Sequence, residues 1–404
     1  MILKARAASH AGIAAILAAL AMVGPFSINT YLPSFSEMEV ALHTNRVALQ
    51  QTVSIYFASF AFMALWHGAI SDSIGRRRVV LAGLAVYAAA SLGCALANRV
   101  ELIWYLRAFH GFSAGAGIVI GRAVIRDLLD GPLAQRMMAR VVLMYGLAPA
   151  IAPLVGGWLQ AAFGWRSVFL FLSLLAGTLF AVVMAWLPET LPAVRRQPFR
   201  FRPLLGGYRS VVCNRPFMAW ACAYACMFGG FFLYVLSSPV FLMRHLGVAE
   251  TGFLWLFGPA TAGLTLGAAL SGRLAARWSQ RRTLAVAFAV MAFANAYNLV
   301  VCALRPEGVA WYVAFVLLFN TGMSMCIPIL AMRGLDCVPE RRGMGSSVQL
   351  FIQTGSNAVI ASVLAPLVWG SLLSLALGSA LLSVLAGLGV VAAWRLSSKQ
   401  GSGG

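Results

Sequence analysis

Acidic residues are scarce in this chain, and none stands deep inside a long apolar run. Of 404 residues, 11 are Asp or Glu against 30 Lys or Arg, and charged residues make up 10% of the whole. A soluble domain carries about 25%, so a soluble globular fold is excluded. Metal-binding and redox patterns are missing as well. Cys94, Cys213, Cys222, Cys226, Cys302, Cys326 and Cys337 form no CxxC and pair with no histidine. They read as small buried apolar residues, with no metal, cofactor or disulfide implied.

Apolar sequence is abundant: 61% of residues are hydrophobic, in runs of about 20 or more, each long enough to cross a bilayer as a helix. Twelve spans are expected, near 11–35, 49–71, 79–98, 101–125, 138–162, 165–187, 214–243, 251–273, 283–304, 309–332, 343–369 and 371–394. The first is too long for a cleaved signal peptide and lacks a cleavage site. The fold class is therefore all-α and polytopic, with the lipid bilayer as solvent.

The net charge of +19 does not call for nucleic acid, because the basic residues gather in alternate short loops. With the N-terminus cytoplasmic, 23 of the 30 fall on that side, five on the other, and Arg107 and Arg122 within span four. Both termini are expected to be cytoplasmic. The polar segment Pro188–Ser210 divides six spans from six. The expected organisation is a half over 1–187, a linker over 188–213, a second half over 214–395 and a tail over 396–404. The final Gly-Ser-Gly-Gly reads as an added remnant. A weak repeat supports two pseudo-symmetric halves: "GAISDSIGRRR" and "GRLAARWSQRR" align at an offset of 204, and Pro33 recurs at Pro239. Such halves are typical of transporters with a site at their interface.

Three stretches carry the chemistry. The first is Gly68-Ala-Ile-Ser-Asp72-Ser-Ile-Gly75-Arg76-Arg77-Arg78. Gly75 permits a tight turn, the arginines hold it at the cytoplasmic face, and Asp72 can pair with an arginine or a helix N-terminus. Candidate partners are Arg126, Asp127 and the start of span eleven. The stretch resembles the signature loop of the major facilitator superfamily, with Ser73 where a basic residue is usual. That resemblance implies the major facilitator fold and a gating role.

Span four, "YLRAFHGFSAGAGIVIGRAVIRD", puts Arg107 and His110 on one helix face, with Gly111 and Gly115 four apart for close packing. An arginine at that depth costs about 2.5–3.5 kcal/mol on the lenient insertion scale, so it needs a partner or a cavity. The alternatives are a snorkelling Arg107 near the outer interface and a neutral packing role for His110. In span five, Pro153 with Gly156 and Gly157 can bend the helix and admit close contact. The R-x-x-x-G of span four and A-P-x-x-G-G of span five resemble the superfamily's second and third motifs, the latter typical of its exporters. With "INTYLPSF", they resemble the bicyclomycin and chloramphenicol branch of the drug:proton antiporters. The implied activity is proton-coupled antiport of small amphipathic molecules and drugs by alternating access, in a bacterial inner membrane. The implied partners are a small-molecule substrate and protons, and a monomer is expected.

Further polar residues mark a candidate binding pocket: Tyr31, Tyr56, Tyr234, Ser237, Asn320, Gln349, Gln353 and Asn357, joined by Asn29 and Arg107. On span eleven, Ser346, Gln349, Gln353 and Asn357 form one stripe. Each alone could equally be an interhelical hydrogen bond.

All eleven acidic residues fall in loops or at helix ends. In the branch this chain resembles, an Asp in span one binds and releases the proton; the matching position here is Asn29. Asparagine is nearly isosteric with a protonated aspartate but cannot ionise. Three explanations stay open: a substitution that traps one state, a carrier that titrates His110 instead, or a facilitator without coupling. Arg107 could steer coupling at position 29 or bind a substrate anion, so export of an anionic metabolite such as a siderophore is the alternative function. A non-transporting receptor or scaffold is a further rival. An enzyme is not expected, since no nucleophile–base pair lies among the polar positions.

Overall fold

The structure of the chain, a computed structural model, describes residues 10–129, 131–275 and 277–401. Lys4, Arg6, Asp130 and the last three residues of the tail lie outside these. Among the described residues, twelve helices are long and apolar enough to cross a membrane. The chain forms two compact units, Met1–Arg200 and Phe201–Gly404.

The first unit contains α1 (His10–Asn29), α2 (Phe35–Ala41), α3 (Arg46–Ala64), α4 (His67–Ile74), α5 (Arg76–Leu96), α6 (Val100–Leu128), α7 (Gly131–Phe163) and α8 (Trp165–Trp186). Local chemistry sets their ends. Asn45 caps α3 by accepting from the Ala48 N–H at 2.9 Å. Gly75, at φ +109°, turns α4 into α5 where a side chain would be strained. Helix α1 stops at Asn29, and a single tight turn with Pro33 leads into α2. One continuous span was expected there, and again over 49–71. The second breaks because Leu65 and Trp66 donate to carbonyls three residues back, which tightens and ends α3. Hence Gly68 and Asp72 lie on a short helix rather than in a loop. Within this unit α3 packs on α6, α5 on α6 and α8, and α1 on α6 and α7.

The second unit contains α9 (Phe201–Val212), α10 (Arg215–Leu236), α11 (Leu254–Leu274), α12 (Gln280–Leu304), α13 (Val309–Asp336), α14 (Arg342–Val359), α15 (Ala365–Val368) and α16 (Leu372–Gly401). Here too, long expected spans are interrupted. A wide turn over Pro239–His245 follows α10, and another over Ile360–Leu364 separates α14 from α15. Internally this unit pairs its spanning helices in the same order as the first: α11 with α13, α12 with α13 and α16, α10 with α13 and α14.

Candidate functional site

The polar centre of the first unit is built around Arg107. It lies two turns into α6, about 10 Å from Val100, and is 0% exposed, which rules out a snorkelling role. Gly111, one turn further on, lets α6 approach so closely that an added Cβ would strike the Tyr56 carbonyl of α3. That contact seats Arg107 beside α3 and the end of α1. Its guanidinium carbon sits 4.6 Å from the ring centres of both Tyr31 and Tyr56. A desolvated cation–π contact contributes about 2 kcal/mol. Nη1 donates to the Ser27 carbonyl at 2.9 Å, to the Ser27 hydroxyl at 3.1 Å and to His110 Nδ1 at 3.2 Å.

That last bond fixes the histidine tautomer. A guanidinium only donates, so His110 Nδ1 is the acceptor and Nε2 carries the hydrogen, donated to Ser91 Oγ at 2.8 Å. The imidazole also stacks on Tyr87, with ring centres 4.5 Å apart. Tyr31 is held in turn by Thr52, hydroxyl to hydroxyl at 2.6 Å. Arg107, His110, Tyr31 and Tyr56 are therefore brought together, and Ser27, Ser91, Thr52 and Tyr87 join them. Sequence reasoning missed these four, although Ser27 immediately precedes the quoted "INTYLPSF", two residues from Asn29.

Asn29 behaves differently. It is 4% exposed, and its Nδ2 donates back to the Pro25 carbonyl of its own helix at 3.0 Å. Ser27 and Tyr31, four apart, share the face that meets Arg107, while Asn29 lies about 200° round from Ser27. Among the described residues, no donor reaches its Oδ1. The neighbouring carboxylates are committed elsewhere: Glu37 accepts from the Trp165 N–H at 2.9 Å, and Glu39 pairs with Arg46 at 3.1 Å.

At the motif between α4 and α5, Arg76 is the hub. Its side chain pairs with Asp72, with Asp127 at 3.2 Å and with Ser71 Oγ at 2.6 Å. Its backbone N–H donates to Glu189 Oε1 at 2.8 Å, and Thr190 donates to Asp127 at 2.9 Å. The segment after α8 thus closes over the motif, with the Gln197 N–H on the Asp72 carbonyl at 3.1 Å. Glu189 and Thr190 were not foreseen. Arg77 donates to the Met184 carbonyl, whereas Arg126 is exposed. At Gly68 nothing lies within 4 Å of an added Cβ, so space does not demand glycine there.

In α7, Pro153, Gly156 and Gly157 are buried. Gly156 lies against the turn after α1 so tightly that a Cβ would collide with the Thr30 carbonyl. Within the second unit, the expected pocket residues take separate partners. Tyr234 accepts from Asn298 at 2.7 Å, Asn320 donates to the Val316 carbonyl at 2.8 Å, and Gln349 donates to the Ala331 carbonyl at 3.1 Å. Ser237 and Asn357 are buried and Gln353 is half-buried.

Comparisons with known proteins agree on one family. The profile described as Major Facilitator Superfamily matches residues 15–361. A bicyclomycin resistance protein homolog of Haemophilus influenzae is 27% identical over 350 residues, covering 86% of this chain and 87% of its own. Multidrug resistance protein D of Escherichia coli K12 is 27% identical, covering 94% of each chain. Among solved structures, the human organic anion transporter MFSD10 superposes with a TM-score of 0.66 at 17% identity, covering 96% of this chain and 100% of that one.

Proposed function

The chain belongs to the Major Facilitator Superfamily, and we propose that within it the protein exports small amphipathic molecules, drugs among them, from the bacterial cytoplasm by alternating access. Proteins of this family and fold are transporters rather than enzymes. The observation that supports the reading is the convergence of two motif helices, α6 and α7, on one segment. Arg107 of α6 binds Ser27, and Gly156 of α7 lies against Thr30, on either side of Asn29. Relatives named for drug resistance align along most of the chain and support the same class of cargo. The distribution of Lys and Arg supports cytoplasmic termini.

In this reading the coupling residues are position 29, Arg107 and His110. A carboxylate at position 29 would load and unload the proton. Arg107 would favour unloading, and His110 holds Arg107 in place as a neutral acceptor. Asn29 leaves the first of these roles unfilled, so the chain as it stands mimics the loaded carrier and moves substrate downhill. With Asp at position 29, each exchanged proton would bring about 2.3 kcal/mol per 100 mV, plus the pH gradient.

The test is transport of ethidium and chloramphenicol by the purified protein in sealed vesicles. Movement down a gradient, faster than in protein-free vesicles, is the expected result. Failure of both compounds to move, with intact folded protein, would favour a receptor or scaffold.

A further inference from the structure

We infer that the Nε–Nη2 edge of Arg107 is a carboxylate-binding site. Three of the approaches to this guanidinium are used. Tyr31 and Tyr56 lie against it, and Nη1 is shared among Ser27 and His110. Among the described residues, Nε and Nη2 have no hydrogen-bond acceptor. These two nitrogens form one edge of the planar group, and their parallel N–H bonds match the two oxygens of a carboxylate.

The charge balance points the same way. Arginine stays protonated in proteins, and removing its charge from water without a counter-charge is costly. Among the described residues no carboxylate pairs with Arg107. Asp72 and Asp127 are held by Arg76, Glu39 by Arg46, and Glu37 by the Trp165 N–H. Ring faces and a carbonyl offset part of the charge but leave the bidentate edge unused. The missing charge is thus supplied from outside the chain, by a carboxylate that enters when the helices around Arg107 part. It is either the anionic end of a transported amphipath or a free small carboxylate ion. The identification of an amphipathic ligand rests on the proposed export function; the anion chemistry does not.

Binding to purified protein is measured with naphthaleneacetate, its neutral amide and plain acetate. Naphthaleneacetate is expected to bind about tenfold or more tightly than the amide, a difference that two charge-assisted hydrogen bonds readily supply. Naphthaleneacetate binding far more tightly than acetate assigns the site to the carboxylate of an amphipathic cargo. Acetate binding as tightly as naphthaleneacetate assigns it to a free small ion. Two variants locate the site: Arg107→Gln removes the edge, and Ser27→Asp places a carboxylate beside the guanidinium from within. Each should abolish the preference for naphthaleneacetate over the amide. Because Arg107→Gln could unfold, the Ser27→Asp variant, checked by its elution profile, carries the decision. Equal binding of acid and amide, absence of acid binding, or an unchanged preference in Ser27→Asp overturns the inference. None of these outcomes bears on vesicle transport of ethidium or chloramphenicol, so the two readings fail separately.

Discussion

Ser27 and Arg107 are joined twice, through the Ser27 carbonyl at 2.9 Å and its hydroxyl at 3.1 Å from the same Nη1. The end of the first spanning helix is therefore pinned to the fourth by a serine, while Asn29 bonds to its own helix. Ser27→Ala should lower stability by about 1–2 kcal/mol, since a hydrogen bond to a charged group is lost and one remains. Asn29→Ala should cost less. Thermal melting of the purified variants gives the order, and a larger loss for Asn29→Ala would contradict it.

Gly156 touches the Thr30 carbonyl with no room for a side chain. Gly156→Ala should push α7 away from the turn after α1 and destabilise by about 1–3 kcal/mol, the usual range for overpacking. Gly68→Ala, where space is open, should melt close to wild type. Comparable losses at the two glycines would count against the packing account.

Arg76 collects Asp72, Asp127 and Ser71 through its side chain and Glu189 through its backbone. Arg76→Lys keeps the charge but loses the fork that reaches several partners at once. It should retain membrane insertion yet lose most transport. Glu189→Gln, which weakens a charge-assisted bond to a neutral one, should reduce stability by about 1 kcal/mol. Transport at wild-type rate in Arg76→Lys would show that the cluster is not a gate.

His110 accepts from Arg107 through Nδ1 and donates to Ser91 through Nε2. A glutamine can offer the same acceptor and donor, and a leucine neither. His110→Gln should keep downhill transport with the pH profile of wild type unchanged, whereas His110→Leu should be less stable by about 2 kcal/mol or more through two unsatisfied partners. A pH dependence present in wild type and lost in His110→Gln would instead make the imidazole the proton carrier.

Much of the architecture was legible because membrane spans announce themselves in one dimension. Apolar runs gave the twelve spanning helices, and the spacing of Arg107 and His110 placed them on one face. What stayed hidden depends on tertiary neighbours. Ser27 meets Arg107 across 80 residues, Glu189 meets Arg76 across 113, and Asn298 meets Tyr234 across 64. No periodicity within one helix reports such pairs. The break after α3 was hidden for another reason. No proline or glycine stands between Arg46 and His67, so the tightened turn at Leu65 and Trp66 left no compositional mark.

On the proposed reading a proton would bind at position 29, and Asn29 cannot bind it. The direct measurement is substrate accumulation in vesicles whose lumen is made acidic, with wild type and Asn29→Asp side by side. The Asn29→Asp protein should concentrate chloramphenicol in the lumen above the bath, and a protonophore should abolish the effect. Wild type should only equilibrate. Equal accumulation by both proteins under the same gradient would contradict the claim.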